Sequence, residues 1–517
     1  MKEQFCHITV MPSEEVLEGM VGDNLYTLLL VAGIIDVDDP QAEYVCIEKG
    51  ALSPSLDSLA ESMVFSAAEQ AEGWILASQH TLTGDAVLTL GKRPVLHRSS
   101  QHPLAEGWGL VMDVGTATIS AGLVNLDSML IPSLTACRSS QMKIAQDIGT
   151  RYQLARQDEA LGPRLAQLLR EDIAMLVEKL CMRSGVAAEQ ISAMVLVGRP
   201  GLKGLLCDNG LSDDESYQCV KAADLGLKML SADMQVFFLP AAKGGLGADA
   251  VAAALAADMW SKKDSEKISI LVDTDVDSVV MAAGKGRLIA CTVPTAALEG
   301  VGISSGMQAT TGAIVGLNID SELTVRTIHD ARPRGLCGAG LLSVVHTLRS
   351  QGIIDNDGKL VQPSWLPENI IRRFRGTAAG REFVISYADH NYPHDICLNQ
   401  EDMVQMQLSK GALRAAVYAI LAEMDACDAD VGALMLAESY RSNIRPESVQ
   451  MLHLSTTQDE STLSCIGNAA WQGGYLVLSD QSFLRNAQEL ADVIQPLDLS
   501  ANFIYAEEFI RAMEISS

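Results

Sequence analysis

The run Asp113-Val114-Gly115-Thr116-Ala117-Thr118 carries the strongest chemical signal in the chain. An aspartate followed by a glycine-containing turn and two threonines can form half of a phosphate site. Backbone N–H groups of such a turn approach phosphate oxygens, and glycine permits that approach. The aspartate can hold magnesium, usually through water. Asp113, Gly115, Thr116 and Thr118 are therefore candidate Mg-ATP contacts. The plainer alternative is a tight hairpin that needs glycine at its turn.

A second acid-led turn, Asp273-Thr274-Asp275-Val276-Asp277-Ser278, repeats the opening aspartate but contains no glycine. Asp273 is its candidate ligand-binding residue. Asp275 and Asp277 fall where phosphate oxygens would approach, and like charges at that range cost energy unless a cation intervenes. Either magnesium binds here unusually or no phosphate does, and the pattern favours the second. A third candidate is Gly335-x-x-Gly338-x-Gly340 ahead of an apolar helix. It could bring backbone close to a nucleotide or partner, or it could serve helix packing.

Other candidate groups give weaker signals. Asp389-His390-Asn391-Tyr392-Pro393-His394-Asp395 has metal-ligating side chains but reads as an exposed loop. His329-Asp330 reads as a surface turn, and Glu299 has no assignable role. The eleven cysteines form no CxxC pair. They read as reduced, mostly buried thiols, and no metal site is assigned.

The elements that must position these residues fall into two patterns. Residues 1–97 read as strand, strand, helix, strand, helix, strand, strand, compatible with a β-grasp domain. Within it, Gly73 to Gly91 reads as two strands around a Thr83-Gly84-Asp85 turn. Residues 98–108 read as the end of a polar linker. From Gly109 two apolar strands flank a turn, a long helix follows near Leu165–Gly185, and a strand spans Ile191–Gly198. The strand–turn–strand pattern recurs at 267–293, which predicts a duplicated α/β protein with lobes at 109–265 and 266–517 and a cleft between them.

At 517 residues the chain needs more than one hydrophobic core. Its formal net charge of -27 argues against broad contact with nucleic acid or an anionic membrane. No secretory signal is visible at the start and no apolar run could span a bilayer, so a cytoplasmic protein is expected.

Paired acid-led hairpins resemble those of the actin, sugar-kinase and Hsp70-like ATPases. More specifically, the chain resembles the reductive activators of corrinoid proteins, which join a ferredoxin domain to an ATPase domain of that class. The resemblance runs in order from residue 109 nearly to the end. It includes SSQMKIAQDIGTR (139–151, with Gln141, Asp147 and Arg151), MVLVGRPGLKGLL (194–206), GLGADAVAA (245–253) and ALEGVGISSGMQATTGAI (297–314). ARPRGLCGAGLLSVV (331–345), EDMVQMQLSKGALRAA (401–416) and IGNAAWQGG (466–474) continue it.

The resemblance implies an α/β fold: a degenerate, ferredoxin-like β-grasp domain, then a two-lobed actin/Hsp70/sugar-kinase-like domain with RNase H-like halves. It implies action on a corrinoid protein of methyl transfer, driven by ATP. Several positions depart from the family. Its ferredoxin holds [2Fe–2S] on four thiolates, but here the loop DPQAEY (39–44) has no cysteine, Cys46 falls in a strand, and Ser78 stands where the fourth ligand belongs. No cluster is expected. Both glycines of the family's second hairpin are gone at Asp273–Val279, and its glycine-rich adenosine turn is Ala437-Glu438-Ser439-Tyr440-Arg441. The family's long middle region is expected to be missing.

The expected function is that of a non-redox, partner-binding member, a pseudo-ATPase with an impaired ATP site. Its partner would be a corrinoid protein, a methyltransferase or a sister activator, and a homodimer stays open. The alternatives are an active Mg-ATP-dependent activator without its own cluster, and a small-molecule sensor that uses the cleft.

Overall fold

The computed structural model describes residues 5–11, 15–35, 44–54, 73–77, 80–90, 102–127, 129, 131–207, 216–309, 312–320, 322–328, 331–377, 380–388, 393–438, 452, 454 and 463–513. Outside them lie the expected second helix of the first domain at 55–64, Ser78, most of the DPQAEY loop, residues 98–101 of the linker, His329-Asp330, Asp389–Tyr392 and Ser439–Arg441 of the adenosine turn.

The first sheet comprises β1 (Phe5–Met11), β2 (Glu15–Met20), β3 (Tyr44–Pro54), β4 (Trp74–Leu76) and β5 (His80–Leu90), with helix α1 (Leu25–Val31) against it. Its order is β2-β1-β5-β3-β4, and β1 and β5 run parallel. Thr83-Gly84-Asp85 is not a turn. β5 runs through it, and these residues bulge opposite Ala51 while pairing resumes at Gly50↔Ala86 and Leu52↔Leu82. Gly50 takes a left-handed φ of +92°, and a β-carbon there would lie 2.3 Å from the Asp85 carbonyl.

The second sheet holds β6 (Trp108–Val114), β7 (Thr118–Asn125), β8 (Ser133–Arg138), β9 (Ile191–Gly198), β10 (Gln218–Lys221) and β11 (Gln235–Phe238). Helices α2 (Ile148–Gln157) and α3 (Leu161–Ser184) lie between β8 and β9, and α4 (Ala248–Ala256) follows β11. α3 ends where Gly185 takes a left-handed φ of 70° and its N–H donates to the Cys181 carbonyl.

The third sheet begins with β12 (Ile268–Thr274), β13 (Asp277–Gly284) and β14 (Arg287–Pro294). An insertion follows. It contains β15 (Ala313–Ile319), β16 (Leu323–Thr327), β17 (Gly335–Leu336), α5 (Gly338–Ser350), β18 (Phe374–Thr377), β19 (Gly380–Ser386) and β20 (Ile396–Asn399). Then come α6 (Gln400–Glu423), β21 (Val431–Glu438), β22 (Leu463–Gly467), α7 (Ala469–Ser479), α8 (Ser482–Val493), β23 (Gln495–Pro496) and α9 (Phe503–Arg511).

The two large sheets share one plan. β8-β7-β6-β9-β11 and β14-β13-β12-β21-β22 are each an antiparallel meander followed by two parallel strands. α3 covers the outer face of the second sheet through Leu165, Leu169, Ile173 and Leu176. α6 and α5 cover the outer face of the third through Met406, Leu413, Leu341 and Val345. Between the sheets, α4, α7 and α8 form a common apolar layer that meets Val111 and Val195 on one side and Leu271 and Met281 on the other. Gly473 makes this layer thin, because a β-carbon there would lie 2.0 Å from the Ala252 carbonyl. The segment entering β6 is pinned to the same layer, with Leu104 N–H donating to the Leu478 carbonyl and Gln481 N–H to that of His102. No helix among the described residues is long and apolar enough to cross a membrane.

Candidate functional site

Strand alternation decides where the two opening aspartates point. Along β6, Leu110, Met112 and Val114 pack outward beneath α3, so Val111 and Asp113 face the common layer. Along β12, Ile268, Ile270 and Val272 pack outward, so Leu271 and Asp273 face the same layer from the opposite side. Both acids thus lie one residue before the ends of their strands, on the inner faces of the two sheets.

Asp113 is buried. Its Oδ2 accepts a hydrogen bond from Asn468 Nδ2 at 2.8 Å and from Ser120 Oγ at 3.4 Å. Asn468 also caps α7, its Oδ1 accepting from the Trp471 N–H at 2.8 Å. Burial pushes the Asp113 carboxyl up to about 7, with the Asn468 hydrogen bond opposing the rise and the Asp249 and Asp275 carboxylates adding to it. Desolvation also holds Asp273 well above the usual carboxylate range, against the pull of Arg199. Asp277 is raised too, mainly by burial.

The turn Gly115–Ala117 is held from behind. Arg151, 1% exposed, donates from Nη2 to the Thr116 carbonyl at 2.7 Å, from Nε to the Ala145 carbonyl at 2.9 Å, and from Nη1 to Gln141 Oε1 at 3.2 Å. Gln141 in turn donates to the Leu165 carbonyl of α3. Asp147 caps α2, the helix that carries Arg151, by accepting the Thr150 N–H at 2.7 Å. Gln141, Asp147 and Arg151 therefore fix the turn's shape.

The front of that turn meets the second hairpin directly. The Thr116 N–H donates to Asp275 Oδ2 at 3.1 Å. The same oxygen accepts from Arg199 Nη2 at 2.8 Å and Nε at 3.3 Å. Asp275 Oδ1 accepts the Val276 N–H at 2.7 Å, so both carboxylate oxygens are engaged. The backbone behind Asp275 is fixed by Thr295 Oγ1, which donates to its carbonyl at 2.7 Å, and by Ser278 Oγ, which accepts its N–H at 3.2 Å. Ala117 and Val276, the tips of the two turns, join Met142 and Val301 in a small apolar cluster.

Arg199 follows β9 directly and is the hub of this contact. It also pairs through Nε with Asp249 Oδ2 at 3.1 Å. Burial works to lower the pKa of its guanidinium, but the Asp249 and Asp275 carboxylates more than offset this and raise it. Asp249 Oδ1, Thr116 Oγ1 and Thr118 Oγ1 are buried without a hydrogen-bond partner among the described residues.

The structure thus brings Asp113, Gly115, Thr116, Thr118 and Asp273 to one place between the lobes. It does not give the glycine trio a comparable setting. A β-carbon on Gly338 would lie 1.6 Å from the Leu298 carbonyl, one on Gly340 1.8 Å from that of Ile314, and one on Gly335 2.7 Å from that of Ser305. Backbone packing around α5 accounts for all three glycines. Pro393, His394 and Asp395 are described, and Asp395 pairs with Arg375 of β18. Among the described residues no group of His, Cys, Asp or Glu is arranged to hold a metal ion.

Three residues at the centre carry no role in the sequence patterns: Arg199, Asp249 and Asn468. Each lies in a family-like segment. The available signal is position, since Arg199 directly follows a strand parallel to β6 and Asp249 lies in the first turn of α4.

Comparisons with known proteins agree with this architecture. Residues 108–262 match the RACo middle region, and residues 267–517 match the C-terminal domain of RACo, the ASKHA domain. The family's middle region, expected to be missing, is therefore present, and it is the segment that builds the second sheet. The corrinoid activation enzyme RamQ of Eubacterium limosum is 22% identical over 398 residues, 74% of this chain and 66% of that protein. The chain thus spans just under two thirds of the length of that curated relative. A solved reductive activator for corrinoid, iron–sulfur protein superposes with a TM-score of 0.73 at 19% identity, over 99% of this chain and 98% of that one. That likeness establishes a shared α/β fold with an ASKHA domain. The chain belongs to the RACo family, the reductive activators of corrinoid proteins.

Proposed function

We propose that this protein is an activator-like member of a corrinoid-dependent methyl-transfer system that works by binding a protein partner, with its nucleotide cleft closed by its own side chains. The partner is a corrinoid protein, its methyltransferase or a sister activator. The observation that carries this reading is the Asp275 carboxylate on the Thr116 N–H. A phosphate oxygen needs the same donor, and the carboxylate is further held by Arg199. The phosphates of Mg-ATP do not fit this arrangement without displacing Asp275.

The first domain supports a non-redox role. Residues 1–97 contain two cysteines, Cys6 and Cys46, where a [2Fe–2S] cluster needs four ligands. Cys6 is buried in the domain core, and its thiol donates to the Gly19 carbonyl. Electrons would have to come from another protein.

Calorimetric titration of the full chain with ATP and with ADP in magnesium, alongside steady-state hydrolysis, tests the reading. The wild type is expected to show no saturable binding, and Asp275→Gly is expected to gain it. Tight binding and turnover by the wild type would overturn the closed cleft and favour an ATP-driven activator. Co-purification that recovers no corrinoid protein, methyltransferase or activator would overturn the partner assignment.

A further inference from the structure

A cavity of about 750 Å³ opens on the second sheet, outside the carboxyl ends of the parallel strands β9 and β11. Open α/β sheets bind ligands at such ends, where loops diverge and leave a crevice. Here the diverging loops are Pro200-Gly201 after β9 and Pro240–Leu246 after β11.

The chemistry of the lining is unusual for this chain. Acids outnumber bases 65 to 38 overall, yet Arg156 and Lys243 both face this cavity. Both are exposed, and neither has a hydrogen-bond or ion-pair partner among the described residues. Among the described residues the one carboxylate in the lining is Asp492, from α8.

The backbone adds donors of the same sign. Gly244 and Gly245 both take left-handed φ values, 75° and 80°. The N–H groups of Lys243, Gly244 and Gly245 have no acceptor among the described residues. A β-carbon on Gly245 would meet nothing within 4 Å, so this turn is open on that side. Successive unpaired N–H groups beside a lysine and an arginine are an anion-binding arrangement, and phosphate suits both the point charge and the guanidinium fork.

The cavity is too large for a bare ion, and two tyrosines line it. Tyr152 stands one helical turn before Arg156 on α2, so the two share a face. Its ring is seated on Gly201, where a β-carbon would lie 2.6 Å from it. Tyr217 lines the cavity too.

We propose that this cavity binds a phosphate ester of a small ring-bearing molecule, with its phosphate at Lys243, Arg156 and the Gly244-Gly245 turn and its ring beside Tyr152 and Tyr217. The site is separate from the contact between Asp275 and Thr116, and it does not depend on whether that cleft accepts nucleotide.

Titration of the full chain with phenyl phosphate and with inorganic phosphate at low salt tests it. Phenyl phosphate should bind once per chain and more tightly than inorganic phosphate. Lys243→Ala and Arg156→Ala should each weaken it about tenfold, the loss of one charge-assisted hydrogen bond. Both residues are exposed, so the variants should keep the wild-type melting temperature. Asp275→Asn should leave phenyl phosphate affinity unchanged. Absence of saturable binding, or binding that survives the double substitution, would overturn the site. Equal affinity for the two probes would overturn the ester assignment.

Discussion

The two acid-led hairpins start from one geometry and end in opposite roles. Each closes a strand on an aspartate that faces the common helical layer, and each is the first turn of a meander with the same strand order. The turn at Gly115–Ala117 is small, uncharged and supported from behind by Arg151, which leaves its front N–H to donate. The turn at Asp275-Val276 instead supplies the acceptor. Its carboxylate has the charge of a ligand group and sits on the other turn's N–H. An acid at a turn position thus lets one loop of a duplicated fold supply the acceptor for the backbone donor of the other.

That contrast can be broken most forcefully at Arg199. Arg199→Met would leave Asp249 and Asp275 buried without their counter-charge, and removing one partner of a buried pair costs about 3–5 kcal/mol. Denaturant unfolding should show a loss of that size. A loss under about 1 kcal/mol, the range of an exposed pair, would mean that Asp275 is not held as a buried carboxylate and that the two turns do not differ as described.

The acid on the other strand sharpens the comparison through pH. The folded pKa of Asp113, about 7, lies above its unfolded value, so the folded chain binds the extra proton between roughly pH 4 and pH 7. Stability should therefore fall as pH rises through that window and stay reduced above it. The full span corresponds to about 4 kcal/mol at most, and less if the neighbouring acids share protons. Asp113→Asn should flatten the dependence, read from melting temperatures at pH 5 and pH 8. A profile as steep as that of the wild type would assign the titration to other acids.

The smallest effect is expected at the tips. Val276→Ala removes contacts with Ala117, Met142 and Val301 and should cost about 2 kcal/mol. If the loss is no larger than for an exposed valine, the two turns touch only through Asp275.

Much of this architecture is legible in the sequence because it depends on local periods. The apolar alternation of Leu110–Val114 and Ile268–Val272 marks both strands and tells which face each aspartate takes. The missing glycines at 273–279 mark the altered turn. What periods do not carry is partnership. The Thr116–Asp275 bond joins residues 159 positions apart, and the Asn468–Asp113 bond joins residues 355 apart. Nor does a glycine pattern say what approaches it: Gly335, Gly338 and Gly340 admit backbone carbonyls of their own fold. Thr83-Gly84-Asp85 misleads for a related reason, since turn-forming residues also suit a bulge.

The common helical layer has a consequence for the order in which the chain is made. Trp471 Nε1 of α7 donates to the Val111 carbonyl of β6, 360 residues earlier. The inner face of the second sheet is therefore covered by helices that leave the ribosome long after it. At about 5–20 residues per second the wait is roughly 20–70 s. Through that interval the face carrying Val111, Val195 and Val197 lacks part of its cover. The helices made last are therefore the ones that complete the cover of a face made early.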